Sequence, residues 1–186
     1  MLEMRNVRLH GKIAIVTGSS SGIGKAIALR FGQEGATVVV AARRKTLSEQ
    51  TVHQIQQNGG EALAIQTDVA DERQVERLMG DTVTRYGRID ILVNNAGIGG
   101  GGLLAETSTH TFDQVMGVNL RGTFFCCREA FRHMKQQGGG VIINMSSVAG
   151  CTAHDFLDTV IAIFAPTCGS QRSAIGAPRP SVCVVF

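Results

Sequence analysis

Short apolar runs alternate with longer amphipathic stretches along the first 150 residues of the chain. The runs are rich in β-branched residues, whereas the stretches between them carry apolar residues at helical spacing. The predicted strands are IAIVT (13–17), TVVVAA (37–42), ALAIQT (62–67), IDILVN (89–94) and VIINMS (141–146). The predicted helices cover residues 22–35, 47–57, 71–86 and 109–137. This alternation predicts an α/β domain whose parallel sheet is covered by helices on both faces.

The sequence changes character after Gly150. Residues 1–150 contain no proline, and all 3 prolines of the chain lie in residues 151–186, which also carry few charged residues. We therefore predict a domain over residues 1–150 and an atypical tail over residues 151–186. Two interpretations of the tail stay open. It is either a surface excursion or linker, or a truncated, frame-shifted or disordered end.

Composition excludes several classes of function. The net charge is +3, with 18 basic and 15 acidic residues and no tryptophan, which argues against a nucleic-acid partner. The first residues lack the apolar core of a signal peptide, and no stretch is long and apolar enough for a membrane span. The 5 cysteines show no metal-binding spacing, so we expect no metal site. A soluble cytoplasmic protein with no membrane partner is the expectation.

A glycine-rich turn joins the first predicted strand to the first predicted helix. Gly18 would let the chain turn, Gly22 would let the backbone approach a pyrophosphate, and Gly24 would let the helix pack close to the strand. The amino end of the following helix offers free N–H groups to phosphate. Because the cluster lies inside a strand–helix–strand unit, we predict a nucleotide site rather than a flexible loop. Its other predicted contacts are Ser20, Ser21 and Ile23.

Two arginines follow the second predicted strand. A carboxylate at this place would bind the ribose 2′-hydroxyl of NAD, but the chain has Arg43 and Arg44 there. A guanidinium can hold a 2′-phosphate through paired hydrogen bonds. We therefore predict NADP in preference to NAD. The alternative is an ordinary solvated basic turn.

Polar residues also follow the third and fourth predicted strands. Asp68, followed by Val69, could accept a hydrogen bond from an adenine amino group or cap the helix that begins near residue 71. Asn95, Ala96 and Gly97 follow the fourth strand, at the edge of the sheet where ligands bind in such folds. Taken alone, the Asn-Asn-Ala-Gly tetrapeptide is better explained by a turn.

Taken together, these motifs resemble the short-chain dehydrogenase/reductase family. The resemblance covers residues 11 to about 150 and rests on TGSSSGIG (17–24), DV (68–69), NNAG (94–97), VNLRG (118–122) and IINMSS (142–147), in that order. It implies a Rossmann-type doubly wound parallel sheet, here incomplete at its C-terminal end. It also implies hydride transfer between a nicotinamide cofactor and a small-molecule carbonyl or alcohol, and members commonly form homo-oligomers.

The resemblance further assigns catalytic roles to two residues. Asn119 would kink the long helix and hold a water in a proton relay, and Ser147 would hydrogen-bond the substrate oxygen. The family's catalytic tyrosine and the lysine four residues later would fall near Val160 and Phe164. The only tyrosine is Tyr86 and no lysine follows Lys135, so the pair is missing. Three hypotheses stay open: an impaired oxidoreductase, a nucleotide-binding pseudoenzyme and a non-functional fragment.

Overall fold

One parallel sheet organises the described part of the chain. The computed structural model describes residues 7–99, 104–146 and 181–185, with the backbone alone for residues 104 and 181–185. Within these ranges the strands are β1 (Ile13–Thr17), β2 (Thr37–Ala42), β3 (Glu61–Gln66), β4 (Ile91–Asn94), β5 (Val141–Met145) and β6 (Ser181–Val185). All pairs are parallel, in the order β3-β2-β1-β4-β5-β6. The order reverses at β1, and such a reversal opens a crevice at the carboxyl ends of β1 and β4.

Helices connect the strands. They are α1 (Gly22–Gln33), α2 (Lys45–Gln57), α3 (Glu72–Tyr86), a short 3₁₀ turn (Leu104–Glu106), α4 (Thr109–Val115), a π segment (Met116–Gly122) and α5 (Thr123–Gln137). Right-handed helical dihedrals continue through both junctions of the π segment, so α4, the π segment and α5 form one long helix. The predicted helix over 109–137 is confirmed. The seven-residue π segment within it was not predicted from the sequence.

The sheet is covered on both faces, as predicted. Alternate strand residues point to opposite faces of a sheet, and the two buried apolar clusters follow that alternation. On one face, Ile15 and Leu92 pack with residues of α3 and α5 such as Leu78 and Met134. On the other face, strand residues pack with residues of α1 and α2; this cluster includes Ala14, Val16, Val38, Val40, Ala28 and Ile55. The Rossmann-type doubly wound fold is therefore confirmed.

Two predicted boundaries move for identifiable reasons. Strand β4 begins at Ile91 rather than at residue 89. The backbone N–H of the preceding Asp90 donates a hydrogen bond to the carbonyl oxygen of Ile13. The Asp90 carboxylate accepts a hydrogen bond from the Ile13 N–H at 2.9 Å. Helix α3 begins after Asp71, whose carboxylate accepts hydrogen bonds from the N–H groups of Arg73 and Gln74. Asp71 is therefore the cap of this helix.

A sixth strand comes from the stretch that the sequence analysis assigned to the tail. The backbone of β6 pairs with β5 along five positions, from Val141 opposite Ser181 to Met145 opposite Val185. Its sequence, SVCVV, is rich in valine, which favours strands. The remaining tail residues, 151–180 and 186, lie outside the described residues, as do residues 147–150. Among the helices of the described ranges, none has the length and apolar character that a membrane span requires.

Candidate functional site

A cleft of about 430 Å³ lies at the carboxyl edge of the sheet, around the ends of the first four strands. Most of the predicted cofactor contacts line it: Gly18, Ser20, Ser21, Ile23, Arg43, Arg44, Asp68, Val69, Asn95, Ala96 and Gly97. Four further lining residues were not predicted as contacts: Ala42, Thr67, Ile98 and Val118. Gly22 and Gly24 are absent from the lining that the described residues provide.

Gly18 turns the chain out of β1 in a left-handed conformation, with φ of +67°. A Cβ atom at this position would lie 2.8 Å from the Cα of Ala96, closer than real side chains approach. Gly24 lies behind the loop, where a Cβ would come within 2.4 Å of the Asn95 side-chain nitrogen and 2.7 Å of the Gly18 carbonyl oxygen. Both glycines are therefore required by close backbone approach, and Gly24 shapes the cleft without lining it.

The amino end of α1 faces the glycine loop. Ser21 precedes the helix in an extended conformation, and its side chain makes no capping hydrogen bond. The first turn carries no acidic residue, so the positive end of the helix dipole is not neutralised there. Gly22 has φ of +57°, and no described atom lies within 4 Å of the position that a Cβ would take there. Backbone N–H groups at such a helix end suit a phosphate.

Thr17 and Asn95 tie together the loops that follow β1 and β4. The Thr17 hydroxyl accepts hydrogen bonds from the backbone N–H groups of Asn95 and Ala96, each at 3.0 Å. The Asn95 side-chain nitrogen donates to the carbonyl oxygen of Thr17 at 3.0 Å. Thr17 is only 1% exposed, which makes it a buried structural partner of the cleft. Thr17 ends β1 as predicted, but its hydrogen bonds to the loop after β4 were not predicted.

Arg44 extends from the end of β2 to the glycine loop. Its guanidinium donates to the hydroxyl oxygens of Ser20 at 3.1 Å and Ser21 at 2.6 Å. The neighbouring Arg43 is exposed at the cleft, and its carbonyl oxygen accepts a hydrogen bond from the Gln66 side chain at 3.0 Å. The cleft therefore has a rim of two cations and two hydroxyl groups, which suits an anionic group on a ligand.

Asp68 and Val69 form the wall that follows β3. The Asp68 carboxylate accepts a hydrogen bond from the Ala70 N–H at 3.0 Å. The backbone N–H of Asp68 donates to the Gln74 side-chain oxygen at 2.9 Å. Since Asp71 caps α3, the Asp68 carboxylate is not the helix cap. Val69 is buried, and a Cβ at Gly122 would lie 2.8 Å from it. This wall therefore packs directly against the start of α5.

Asn119 lies in the π segment, and its side chain contacts the loop that follows β4. Its side-chain oxygen accepts the Ile98 N–H at 2.9 Å, and its side-chain nitrogen donates to the Ile98 carbonyl oxygen at 2.9 Å. Both ends of the amide are therefore engaged with one residue that lines the cleft. The backbone carbonyl of Asn119 accepts the Thr123 hydroxyl at 2.8 Å. π segments are frequent at functional sites, and this one places Val118 in the cleft wall.

A buried polar cluster joins β4, β5 and α5. The Asn94 side-chain nitrogen lies 2.9 Å from the side-chain oxygen of Asn144 and 3.2 Å from the Cys127 sulfur. Burial raises the pKa of the Cys127 thiol, and its hydrogen bonds with Asn144 and Asn94 offset part of that rise. A thiol with a raised pKa is protonated at neutral pH, so Cys127 is not a ready nucleophile.

The predicted catalytic residue Ser147 lies outside the described residues. Tyr86, the only tyrosine in the chain, ends α3 just before β4 begins. It therefore lies toward the amino edge of the sheet, away from the cleft. Its side chain packs against the apolar cluster under α3 and α5, and its hydroxyl accepts a hydrogen bond from Arg85 at 3.2 Å. The geometry gives Tyr86 no part in the cleft.

Comparison with known proteins identifies the family of the chain. The family model described as short chain dehydrogenase matches residues 12–157. Versicolorin reductase 1 of Aspergillus parasiticus is 41% identical, over 94% of this chain and 71% of that protein. An uncharacterized oxidoreductase of Thermotoga maritima is 44% identical, over 77% of this chain and 57% of that protein.

Solved structures show the same fold. A 7α-hydroxysteroid dehydrogenase, complexed with NADH and 7-oxo glycochenodeoxycholic acid, superposes with a TM-score of 0.80 at 35% identity. A short-chain dehydrogenase/reductase structure from Burkholderia xenovorans superposes with a TM-score of 0.80 at 36% identity. The match takes in 88% and 84% of this chain, respectively. The chain spans only 63% and 61% of those two solved chains.

Proposed function

The chain belongs to the short chain dehydrogenase family, an oxidoreductase family, and on that premise we propose that it binds NADP in the cleft. The observation that carries the proposal is the juxtaposition of a glycine loop, an uncapped helix end and an arginine pair around one cleft. When bound, the cofactor would supply a hydride for transfer to a carbonyl carbon, or accept one from an alcohol. NAD is the less favoured cofactor, although NADH is bound in one related structure.

The residues of the cleft fit such a cofactor. A Cβ at Gly18 or Gly24 would collide with neighbouring backbone or side-chain atoms, so the loop keeps the close packing that leaves room for a phosphate. The amino end of α1 would hold the pyrophosphate through its N–H groups. Arg43 and Arg44 would hold a 2′-phosphate, and Asp68 with Val69 would contact the adenine. Asn95, Ala96 and Gly97 would line the remaining length of the cofactor.

We propose that Arg44 is the residue that gives the cleft its preference for NADP. Its guanidinium is already oriented by the hydroxyl groups of Ser20 and Ser21, so little conformational entropy is lost when it binds a phosphate. No carboxylate of the described residues lies at the end of β2, where a 2′-hydroxyl would need one. Asp68, at the end of β3, is the acidic residue in the cleft lining.

We further propose that hydride transfer is impaired in this chain. Ser147 would hydrogen-bond the oxygen of a small carbonyl or alcohol substrate, and Asn119 would position the cleft wall through Ile98. Proton transfer needs an acid, and the chain has Val160 and Phe164 where the family's tyrosine and lysine are expected. A nucleotide-binding pseudoenzyme is therefore the second candidate, favoured by this one observation. A non-functional fragment, aggregating without binding cofactor, is the third.

The experiment is a titration of the full chain with NADPH and with NADH, followed by fluorescence, and then a turnover assay with generic ketones. We expect NADPH to bind at least about tenfold more tightly, a difference of about 1.4 kcal/mol. Arg44→Ala should weaken NADPH binding and leave NADH binding nearly unchanged. Tighter binding of NADH by the unaltered chain would contradict the preference for NADP.

A pair of double variants tests the impairment. Val160→Tyr with Phe164→Lys would restore the missing pair, and Val160→Phe with Phe164→Lys lacks only the hydroxyl group. We expect turnover to rise in the first variant alone, while NADPH binding stays the same in both. Full turnover by the unaltered chain would contradict the impairment. The division of the chain at residue 150 is also a proposal, and reading the coding DNA in all three frames beyond that codon would test it.

A homo-oligomer is the partner we propose on the long helix. Four of its apolar side chains are substantially exposed: Phe112, Leu120, Phe124 and Phe131. Apolar side chains exposed along one helix commonly mark an interface, and symmetric self-association is the commonest use of such a face. The substrate is proposed only as a class, a small carbonyl or alcohol.

A further inference from the structure

Two buried polar atoms near the ends of β4 and β5 have no hydrogen-bond partner among the described residues. They are the side-chain oxygen of Asn94 and the hydroxyl oxygen of Ser146. Asn94 is only 5% exposed, so bulk water does not solvate its amide. A buried polar atom left without a partner destabilises the fold, which makes two such atoms unusual.

Asn94 ends β4, and Ser146 directly follows β5, the neighbouring strand in the sheet. Asn94 is paired in register with Asn144, and its amide contacts both Asn144 and Cys127 of α5. Ser146 follows Asn144 by two residues, and alternate residues of an extended strand share a face. Strands about 4.8 Å apart with a rise of about 3.3 Å per residue put the Cα atoms of Asn94 and Ser146 about 8 Å apart. At this separation one small polar molecule can contact both side chains.

Exchanging the oxygen and nitrogen of the Asn94 amide does not remove the problem. One end of the amide faces Asn144 and Cys127, whichever atom is placed there. The other end is then buried without a partner in either orientation. A ligand that both donates and accepts hydrogen bonds satisfies this end in both cases, and it also suits a hydroxyl group. Water is the smallest molecule with that property.

We propose that a single ordered water molecule bridges the Asn94 amide and the Ser146 hydroxyl beneath α5. The water accepts or donates one hydrogen bond at each side chain. It thereby links the end of β4 to the residue that follows β5. Cys127 of α5 contacts the Asn94 and Asn144 side chains from the helix side. The proposal concerns the packing of β4, β5 and α5 and does not depend on cofactor binding.

High-resolution crystal structures of the full chain and of Ser146→Ala test the proposal. We expect one density peak within hydrogen-bond distance of both side chains in the unaltered chain. In Ser146→Ala that water should be lost or lose its Ser146 contact, and the melting temperature should fall by several degrees. Ser48→Ala is the control, because the buried Ser48 hydroxyl has a protein partner, the Arg44 carbonyl oxygen at 3.0 Å. Its structure should keep the water.

Three results would overturn the proposal. One is a structure with no density between Asn94 and Ser146. Another is a water that contacts only one of the two side chains. The third is a direct hydrogen bond to either atom from a residue of the segment 147–180. If Ser146→Ala does not fold, Ser146→Cys keeps a small polar side chain with weaker hydrogen bonds, and the same peak should then persist with one longer contact.

Discussion

The side-chain nitrogen of Asn95 lies 3.0 Å from the carbonyl oxygen of Thr17 and 3.5 Å from that of Gly18. Thr17 ends β1, Gly18 follows it, and Asn95 follows β4, the neighbouring strand at the reversal in strand order. One asparagine therefore fixes the spacing of two walls of the cleft. Any side chain added behind it would have to displace both walls.

Gly24→Ala should reduce cofactor binding. Its Cβ would lie 2.4 Å from the Asn95 side-chain nitrogen and 2.7 Å from the Gly18 carbonyl oxygen. Overpacking of this kind costs about 1–3 kcal/mol, which we expect as a loss of stability in urea unfolding. NADPH affinity should fall at least about tenfold, because the displaced loop is the one proposed to hold the phosphates.

Gly80→Ala is the matched control for Gly24→Ala. Gly80 lies inside α3, and no atom is within 4 Å of the position its Cβ would take. Replacing glycine by alanine in a helix interior stabilises by up to about 1 kcal/mol, so this variant should be slightly more stable and bind NADPH normally. Equal NADPH affinity in Gly24→Ala and Gly80→Ala would show that the loop does not hold the cofactor.

Asn119→Leu should loosen the loop that follows β4. In the unaltered chain the Asn119 side chain makes hydrogen bonds of 2.9 Å with both the N–H and the carbonyl oxygen of Ile98. Leucine has a similar shape but can make neither bond. Two partly buried backbone groups would lose their partners, at about 1–3 kcal/mol each. Since Ile98 lines the cleft, NADPH binding should weaken together with stability. The comparison is Gln57→Ala at the exposed end of α2, which should change neither quantity.

The alternation of strands and helices could be predicted because the sequence signals for each element are local. Five apolar runs, two essential glycines and the helix periodicities carry their own physical signals, and the structure has the corresponding strands and helices. The glycine loop was predictable for the same reason: only glycine fits at Gly18 and Gly24. These features require no knowledge of which distant residues meet.

The contacts between distant segments could not be predicted in the same way. Arg44 was predicted as a phosphate ligand, but its bonds to Ser20 and Ser21 exist only because β1 and β2 are adjacent in the sheet. Thr17 looked like the last residue of a strand, and nothing nearby indicated that Asn95 would bond to it. Asn119 was assigned only through the family resemblance, and nothing in the sequence indicated the π segment in which it lies.

Acid should weaken the attachment of the segment before β1. Hydrogen bonds from Arg8, and then from Arg30, lower the pKa of the Glu34 carboxyl to about 2. An unfolded glutamate titrates near pH 4.3, so this stabilisation is complete above about pH 4.3 and is lost as the pH falls toward 2. Stability measured by urea unfolding should therefore drop as the pH falls from about 4.3 to about 2.

Glu34→Gln should flatten that part of the acid dependence, because glutamine has no proton to gain. Glu49→Gln removes a more exposed carboxylate on α2 and should leave the slope as it is in the unaltered chain. An acid slope that is the same in both variants would show that Glu34 is not its source.

Alkaline pH should destabilise the core beneath α5. Burial, with a smaller contribution from Cys127, raises the pKa of the Cys126 thiol to about 12. An unfolded cysteine titrates near pH 8.5, so the folded chain holds this proton more tightly. The corresponding stability is complete below about pH 8.5 and is lost progressively as the pH rises toward 12.

Cys126→Ala should remove the alkaline slope that comes from this thiol, at the cost of a small cavity. Peptide mapping after alkylation offers a second measurement: Cys126 should stay unmodified in the folded chain and react after unfolding. Modification of Cys126 in the folded chain at neutral pH would contradict its burial beside the sheet.

Self-association should depend on the exposed phenylalanines of α5. Phe124 and Phe131 are 55% and 43% exposed, and a spacing of seven residues places them on one side of the helix. Phe131→Glu would bury a carboxylate in any interface formed there, whereas Gln136→Glu adds the same charge at an exposed position of the same helix. Light scattering should give a smaller particle mass for Phe131→Glu than for Gln136→Glu, with the same helix content by circular dichroism. If both variants keep the mass of the unaltered chain, the face around Phe131 is not the interface.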